Sequence, residues 1–391
     1  MSKQYGFSSS LWPVVLLMSL LCGLTACDSS NKQSSEPAEI RIGIITPLSG
    51  DSAENAGLPL LNACTLAVQQ VNDQGGLDVG GRKHKVKLIP VDDQDNPQVA
   101  VSIAQKLVNQ SGVAAIVGVP FSRVAIPVAA MAETLRIPLL STSATNPDVT
   151  AGKQYAFRTC FIDSFQGTVT ARFALESLGA RKAAVMYDVA CAYNSGLAEF
   201  FKQQFEKLGG QVVAFESYTT GEKDFSAHLG RIKESGAEVL FLPNIGTEVS
   251  QQAQQARQMG ISIPLVGGDG WSTIPANERA PVEGGFFCSG YAPDMDTKEN
   301  RAFVEAYSKA YNQETNNGAA LAYDACHLLF HAIQNQGKID PESIRAGLAG
   351  TSEYIGVTGI TRFQGSGDPI KSAVIIQAKD NNFVFHKQVN P

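Results

Sequence analysis

The chain has 391 residues, a formal charge of −6 and a sequence pI near 5.5. With 44% apolar and 17% charged residues it has the composition of an ordinary globular protein. The acidic balance, with no basic patch interleaved with aromatics, argues against a nucleic-acid partner.

The N-terminus indicates export. Lys3 precedes an apolar stretch, 11–24, that has signal-peptide length and is too short for a comfortable bilayer span. It ends in Leu24-Thr25-Ala26-Cys27, which resembles a bacterial lipobox; there Cys27 becomes the lipid-bearing mature N-terminus. An ordinary signal peptide with an incidental cysteine is the alternative. Asp28 resembles the inner-membrane retention signal of Gram-negative lipoproteins, and the Ser-rich residues after it read as a tether. The expectation is a signal peptide over 1–26, a tether over 27–39, and then roughly two domains at ~150 residues each. Beyond Cys27 stand Cys64, Cys160, Cys191, Cys288 and Cys326, an odd number with none in a CxxC. Export permits a disulfide, but the sequence assigns no pairing.

The first predicted strand, 40–46, runs into a turn at 47–50 and a helix over 57–71. Gly75-Gly76 and Gly80-Gly81 mark a hairpin-like connection to a strand over 85–91, and a helix follows over 97–109. The apolar run 113–117 is a buried-strand type. Gly118 and Pro120 break it, and Val124, Val128, Met131 and Leu135 recur at helical spacing. A strand over 137–140 then opens into Ser141-Thr142-Ser143-Ala144-Thr145-Asn146. Two consecutive strands therefore end in hydroxyl-rich turns. In an open parallel sheet, ligands sit outside the carboxyl ends of the strands, and hydroxyls with backbone N–H groups suit a small anion. Equally, Ser122 reads as a helix N-cap and the Ser/Thr run as a solvated loop.

After residue 150 the pattern restarts. Strands are expected at 183–187, 211–217, 238–242, 264–266 and 284–289, with helices over 195–208, 224–234 and 247–259. Helices over 298–312, 319–335 and 341–348 follow, with closing strands at 357–363 and 372–377. Strands alternating with helices of this length imply parallel sheets with right-handed crossovers. Two rounds imply two similar α/β lobes, with the chain recrossing between them.

Catalytic signatures are missing from the sequence. It contains no G-x-G-x-x-G after a strand, no P-loop and no G-x-S-x-G elbow. His327 and His331 stand four apart on a helix but flank core-like residues, and no Glu follows His327. Asp92, Asp93 and Asp95 precede Pro97, where a turn and a helix start account for them. No nucleophile–base set emerges, and no cofactor or metal is expected. The remaining features suit recognition. Asp269 stands between glycines at a strand end beside Trp271, and Tyr193 opens a helix after another strand. A carboxylate on one lobe facing hydroxyls and N–H groups on the other is what a zwitterion requires. Asp269 as a turn residue and Trp271 as a packing residue are the structural alternatives.

Several runs together resemble the leucine/isoleucine/valine-binding family of substrate-binding proteins that serve ABC importers. They are the residues 42–50 (IGIITPLSG), 71–76 (VNDQGG), 157–167 (FRTCFIDSFQG), 221–226 (GEKDFS) and 267–271 (GGDGW). The resemblance covers the chain from Ile40 onward. It implies a periplasmic-binding fold of type I, with two Rossmann-like α/β lobes joined by three hinge strands. Lobe 1 would comprise 40–161 and 290–372, and lobe 2 162–289 and 373–391. It implies that Ser122 binds the ligand's carboxylate, that Ser143 (through its backbone) and Thr145 contact the ligand, that Tyr193 contacts it from the second lobe, and that Asp269 binds its ammonium, with Trp271 beside it. The departures are Ile245, where leucine-type receptors carry a Tyr, and Gly318, near an aromatic that closes their side-chain pocket. Asp95 and Phe121 occupy the places of the family's disulfide. The function expected is a non-enzymatic receptor for an L-amino acid, aliphatic or branched, held monomeric at the outer face of the inner membrane by its lipid anchor. It would hand the ligand to an ABC permease and ATPase. The alternative is a sensor for amides or other small polar metabolites.

Overall fold

The computed structural model of the chain describes residues 39–391; the signal peptide, Cys27 and nearly all of the expected tether lie outside the described residues. Strand β1 (Ile40–Thr46) alternates its faces. Ile40, Ile42 and Ile44 join one apolar core and Ile45 another. Gly43 lies against α2: an added Cβ would sit 2.8 Å from Leu107 Cδ1. The chain continues through α1 (Leu58–Asp73), the hairpin β2 (Leu77–Val79) and β3 (Arg82–His84), β4 (Val86–Asp92), α2 (Pro97–Asn109), β5 (Ala115–Gly118), α3 (Ser122–Leu135), β6 (Leu139–Ser141) and β7 (Ala156–Arg158). Five of these strands form a parallel sheet in the order β4-β1-β5-β6-β7.

The second sheet follows from α4 (Asp163–Arg172), β8 (Lys182–Asp188), α5 (Ala192–Lys207), β9 (Gln211–Tyr218), α6 (Ser226–Glu234), β10 (Val239–Leu242), α7 (Thr247–Gln258), β11 (Leu265–Gly267) and β12 (Phe286–Ser289). Helices α8 (Lys298–Tyr311), α9 (Asn317–Gln336) and α10 (Pro341–Ala349) then pack into the core of the first sheet. The strands β13 (Tyr354–Gly356), β14 (Gly359–Phe363) and β15 (Pro369–Ile370) form a small antiparallel sheet, and β16 (Ala373–Lys379) and β17 (Asn382–Val389) return to the second sheet. That sheet runs β17-β16-β12-β11-β10-β8-β9, parallel from β9 to β12 and antiparallel at β16 and β17. Among the described residues the chain passes between the two sheets three times: after β7, after β12 and before β16. This is the α/β fold expected from the alternation of strands and helices.

Five elements lie outside the expected strands and helices: β7, α4, β13, β15 and β17. Helix α4 lacks an apolar stripe because its buried positions include Asp163, Gln166, Gly167 and Thr170. Gly167 permits a close helix contact, since an added Cβ would lie 2.7 Å from Phe200 Cβ on α5.

Candidate functional site

The first wall is built where β5 ends. Gly118 (φ 120°) and Val119 (φ 49°) turn the chain sharply. A β-branched residue in the left-handed region is strained by about 1–3 kcal/mol. It is held there by its N–H bond to the Ile45 carbonyl (2.7 Å) and by Ser141 Oγ donating to its own carbonyl (3.1 Å). The turn places Phe121, not Ser122, at the N-cap of α3, and Ser122 is the first helical residue. The N-cap reading of Ser122 is thereby replaced: its Oγ accepts from the Asn146 N–H at 3.3 Å. The first-turn N–H groups of a helix lack intrahelical acceptors and carry the positive end of its dipole. Ser143, on the loop after β6, donates its hydroxyl to the Pro120 carbonyl at 3.4 Å.

The second wall comes from the ends of β8 and β11. Tyr193, in the first turn of α5, donates to Asp269 Oδ1 at 2.8 Å, and the Gly270 N–H donates back to the phenol at 3.1 Å. The glycines around Asp269 are packing requirements. A Cβ on Gly268 would lie 2.5 Å from Tyr193 Oη, and one on Gly267 would collide with the Trp271 indole.

Both walls line one cleft, bounded by Ser122, Ser143, Tyr193 and Asp269 together with Phe121, Arg123, Ile245, Asn55, Asn317 and Gly318 among others. Two expected residues lie elsewhere. Trp271 is fully buried, donates Nε1–H to the Leu242 carbonyl at 2.9 Å and packs on Phe287. It is a core residue behind Asp269 and does not line the cleft. Thr145 is also fully buried, next to Asp163, whose N–H donates to the Thr145 carbonyl at 2.9 Å. Its hydroxyl faces that carboxyl rather than the cleft.

Asp95 and Phe121 are joined through Arg123. Its Nε donates to Asp95 Oδ1 at 3.1 Å, its guanidinium lies 5.1 Å from the Phe121 ring centroid, and Nη1 reaches Cys191 Sγ, from the second wall, at 3.8 Å. Arg123 thus bridges the two places that the resemblance assigns to a disulfide, by an ion pair to Asp95 and a ring contact with Phe121. The thiols of Cys64, Cys160, Cys191, Cys288 and Cys326 are all buried, and none of them is in a disulfide.

Asp163 and Gln166 were not singled out from the sequence as site residues. Gln166 Nε2 donates to Asp163 Oδ1 at 3.1 Å, and its Oε1 accepts the Asp269 N–H at 2.7 Å. Burial pushes Asp269 up to about 6, opposed by its bonds to Tyr193 and Gln166. Burial likewise pushes Asp163 up to about 7; Thr145 and Gln166 oppose this, and the nearby Asp269 charge adds to it. Burial, with the neighbouring acids, holds the Tyr193 phenol well above its usual range, so it remains a donor. The signal in the sequence was two polar residues three apart within FIDSFQG, a spacing that puts both on one face of a helix.

The periplasmic binding protein family profile matches residues 39–382. The leucine-, isoleucine-, valine-, threonine- and alanine-binding protein of Pseudomonas aeruginosa is 30% identical over 334 residues, 84% of this chain and 87% of that one. Among solved structures, the leucine-binding protein LivK of Thermotoga maritima has a TM-score of 0.83 at 30% identity, covering 90% of this chain and 99% of its own. LivJ of Streptococcus pneumoniae, solved in complex with isoleucine, has a TM-score of 0.82 at 31% identity, covering 90% of this chain and all of its own (100%).

Proposed function

This chain belongs to the periplasmic binding protein family, and from that premise we propose that it captures an L-α-amino acid with an aliphatic or branched side chain and delivers it to an ABC permease. It is a binding protein of the branched-chain amino-acid transporter class, not an enzyme, and its compartment is the periplasm. The observation that carries the proposal is the opposition of two walls across one cleft. Asp269, fixed by Tyr193, faces Ser122 at the start of α3 and Ser143 on the loop after β6. The α-carboxylate bonds to the Ser122 hydroxyl, the α3 N–H groups and the Ser143 backbone, and the α-ammonium to Asp269, all charge-assisted. The side chain lies toward Phe121, Ile245 and Gly318, which line the cleft. Lobe 1 (40–161 and 290–372) and lobe 2 (162–289 and 373–391) close on the ligand by hinge motion. Cys27 carries a lipid that holds the monomeric protein at the outer face of the inner membrane.

A thermal-shift screen against the common amino acids tests this. A ligand at about 100 times its dissociation constant stabilises by about 2.7 kcal/mol, so at least one aliphatic amino acid raises Tm, and a flat response to the whole panel contradicts the proposal. A second reading, a sensor for amides or other small polar metabolites, is favoured by Asn55, Arg123 and Asn317 at the cleft wall. Tm shifts with amides and none with leucine, isoleucine or valine would select it.

A further inference from the structure

Asp163 and Asp269 are two buried acids that share Gln166, whose Nε2 donates to the Asp163 carboxylate and whose Oε1 accepts the backbone N–H of Asp269. Asp163 is 0% exposed and Asp269 6%. Asp163 Oδ2 and Thr145 Oγ1 make no hydrogen bond of normal geometry among the described residues, although the hydroxyl lies near enough to favour the charged carboxylate. The cation nearest the pair is Arg158, whose charge opposes the rise at Asp163; its two Nη donors are engaged elsewhere, and its Nε is ion-paired without a hydrogen bond of normal geometry. Nη1 bonds the Ala144 carbonyl (2.7 Å), Nη2 the Asn146 carbonyl (3.0 Å), and Nε lies 2.7 Å from Asp368 Oδ1 in an ion pair. The other titratable groups near the pair are Tyr193 from α5, Cys288 from β12 and Cys160 from the crossing after β7. All three are neutral, raised by burial. Lys371 faces Cys160 and Asp324 and is bonded to Thr358 and Thr361.

Two buried carboxylates without a cation of their own are unstable as a doubly charged pair, and such groups neutralise instead. Resting on the amino-acid reading of the cleft, we propose that the empty site holds a proton on the Asp163–Asp269 pair and that the ligand's ammonium replaces it. On binding, the carboxyl O–H bond breaks, the proton passes to solvent, and the ammonium N–H groups bond to Asp269; no electrons are transferred. The raised positions of both acids, about 7 for Asp163 and about 6 for Asp269, put this exchange in the neutral-to-acid range. Affinity therefore rises with pH from about 5 to about 7 and then levels off, because above that range no proton remains to displace. Acid favours release. A 2-hydroxy or 2-oxo acid of the same shape has no ammonium to expel the proton and is rejected.

Calorimetry of the protein with the amino acid that gives the largest thermal shift tests the exchange, using buffer pairs that differ in ionisation enthalpy. The slope of heat against buffer enthalpy corresponds to release of about half to one proton per ligand near pH ~6 and about zero near pH ~8.5. Asp163→Asn retains binding heat but loses at least half of the release near pH ~6. Heat without buffer dependence near pH ~6, or unchanged release from Asp163→Asn, overturns the proposal and leaves the amino-acid reading intact. If Asp163→Asn does not fold, the affinity of the natural chain decides: no rise from about pH 5 to 7 also overturns the proposal. Absence of heat with every amino acid at either pH overturns the ligand reading, and the exchange falls with it.

Discussion

Tyr193 Oη lies 2.8 Å from Asp269 Oδ1, so the acid at the cleft is fixed by a phenol from the first turn of a different helix. The two residues are 76 positions apart and meet because β8 and β11 end at the same edge of one sheet. Tyr193→Phe removes a hydrogen bond to a charged group, ~1.5–3 kcal/mol. Ligand affinity measured by calorimetry should fall by roughly one to two powers of ten. An unchanged affinity would separate the phenol from ligand binding.

Gly268→Ala should affect both binding and stability. The new methyl would meet Tyr193 Oη at 2.5 Å, Leu197 Cδ2 at 2.6 Å and Gln166 Oε1 at 3.0 Å. Overpacking of this kind destabilises by ~1–3 kcal/mol, and here it also displaces the groups that hold Asp269. Gly230→Ala is the control. That glycine lies within α6 with nothing near an added Cβ, so Tm should stay level or rise.

The buried pair also sets a sign for stability against pH. Asp163 and Asp269 bind a proton more tightly folded than unfolded, so each contributes stability in acid that is lost as pH rises through about 7 and about 6. His327, lowered by burial, contributes in the opposite sense. The informative quantity is therefore the difference in Tm between Asp163→Asn and the natural chain without ligand. It should increase in favour of the variant between about pH 5 and about pH 7.5. A pH-independent difference would mean that Asp163 is not protonated in the empty protein.

Cys27→Ala tests the anchor. Either the protein moves to the soluble fraction or it stays unprocessed, and palmitate labelling is lost. Labelling of the variant would place the lipid elsewhere.

Most of the fold was legible because its strands are continuous apolar runs between glycines and its helices carry apolar stripes, as in 113–117 and the Val124-Val128-Met131-Leu135 series. Helix α4 was not, because Asp163, Gln166 and Thr170 occupy the face that is apolar elsewhere. Site positions at element ends were readable: Ser122, Ser143, Tyr193 and Asp269 all reach the cleft. Trp271 was misplaced because an aromatic beside an acid suggests a ligand contact, whereas Gly267 lets the indole turn back into the core. The role of Gln166 depends on a bond across 103 positions, which no local pattern reveals.

Calorimetry on Asp269→Asn beside Ser122→Ala tests the central claim most directly. Removing one partner of a buried ion pair typically costs ~3–5 kcal/mol, so Asp269→Asn should weaken binding by roughly two to three orders of magnitude, at about 1.4 kcal/mol per tenfold. Ser122→Ala removes one hydrogen bond to a charged carboxylate, ~1.5–3 kcal/mol, and should lose less. Both variants should remain folded in the absence of ligand. Undiminished affinity in folded Asp269→Asn would contradict the ammonium role of this acid, and with it the amino-acid ligand.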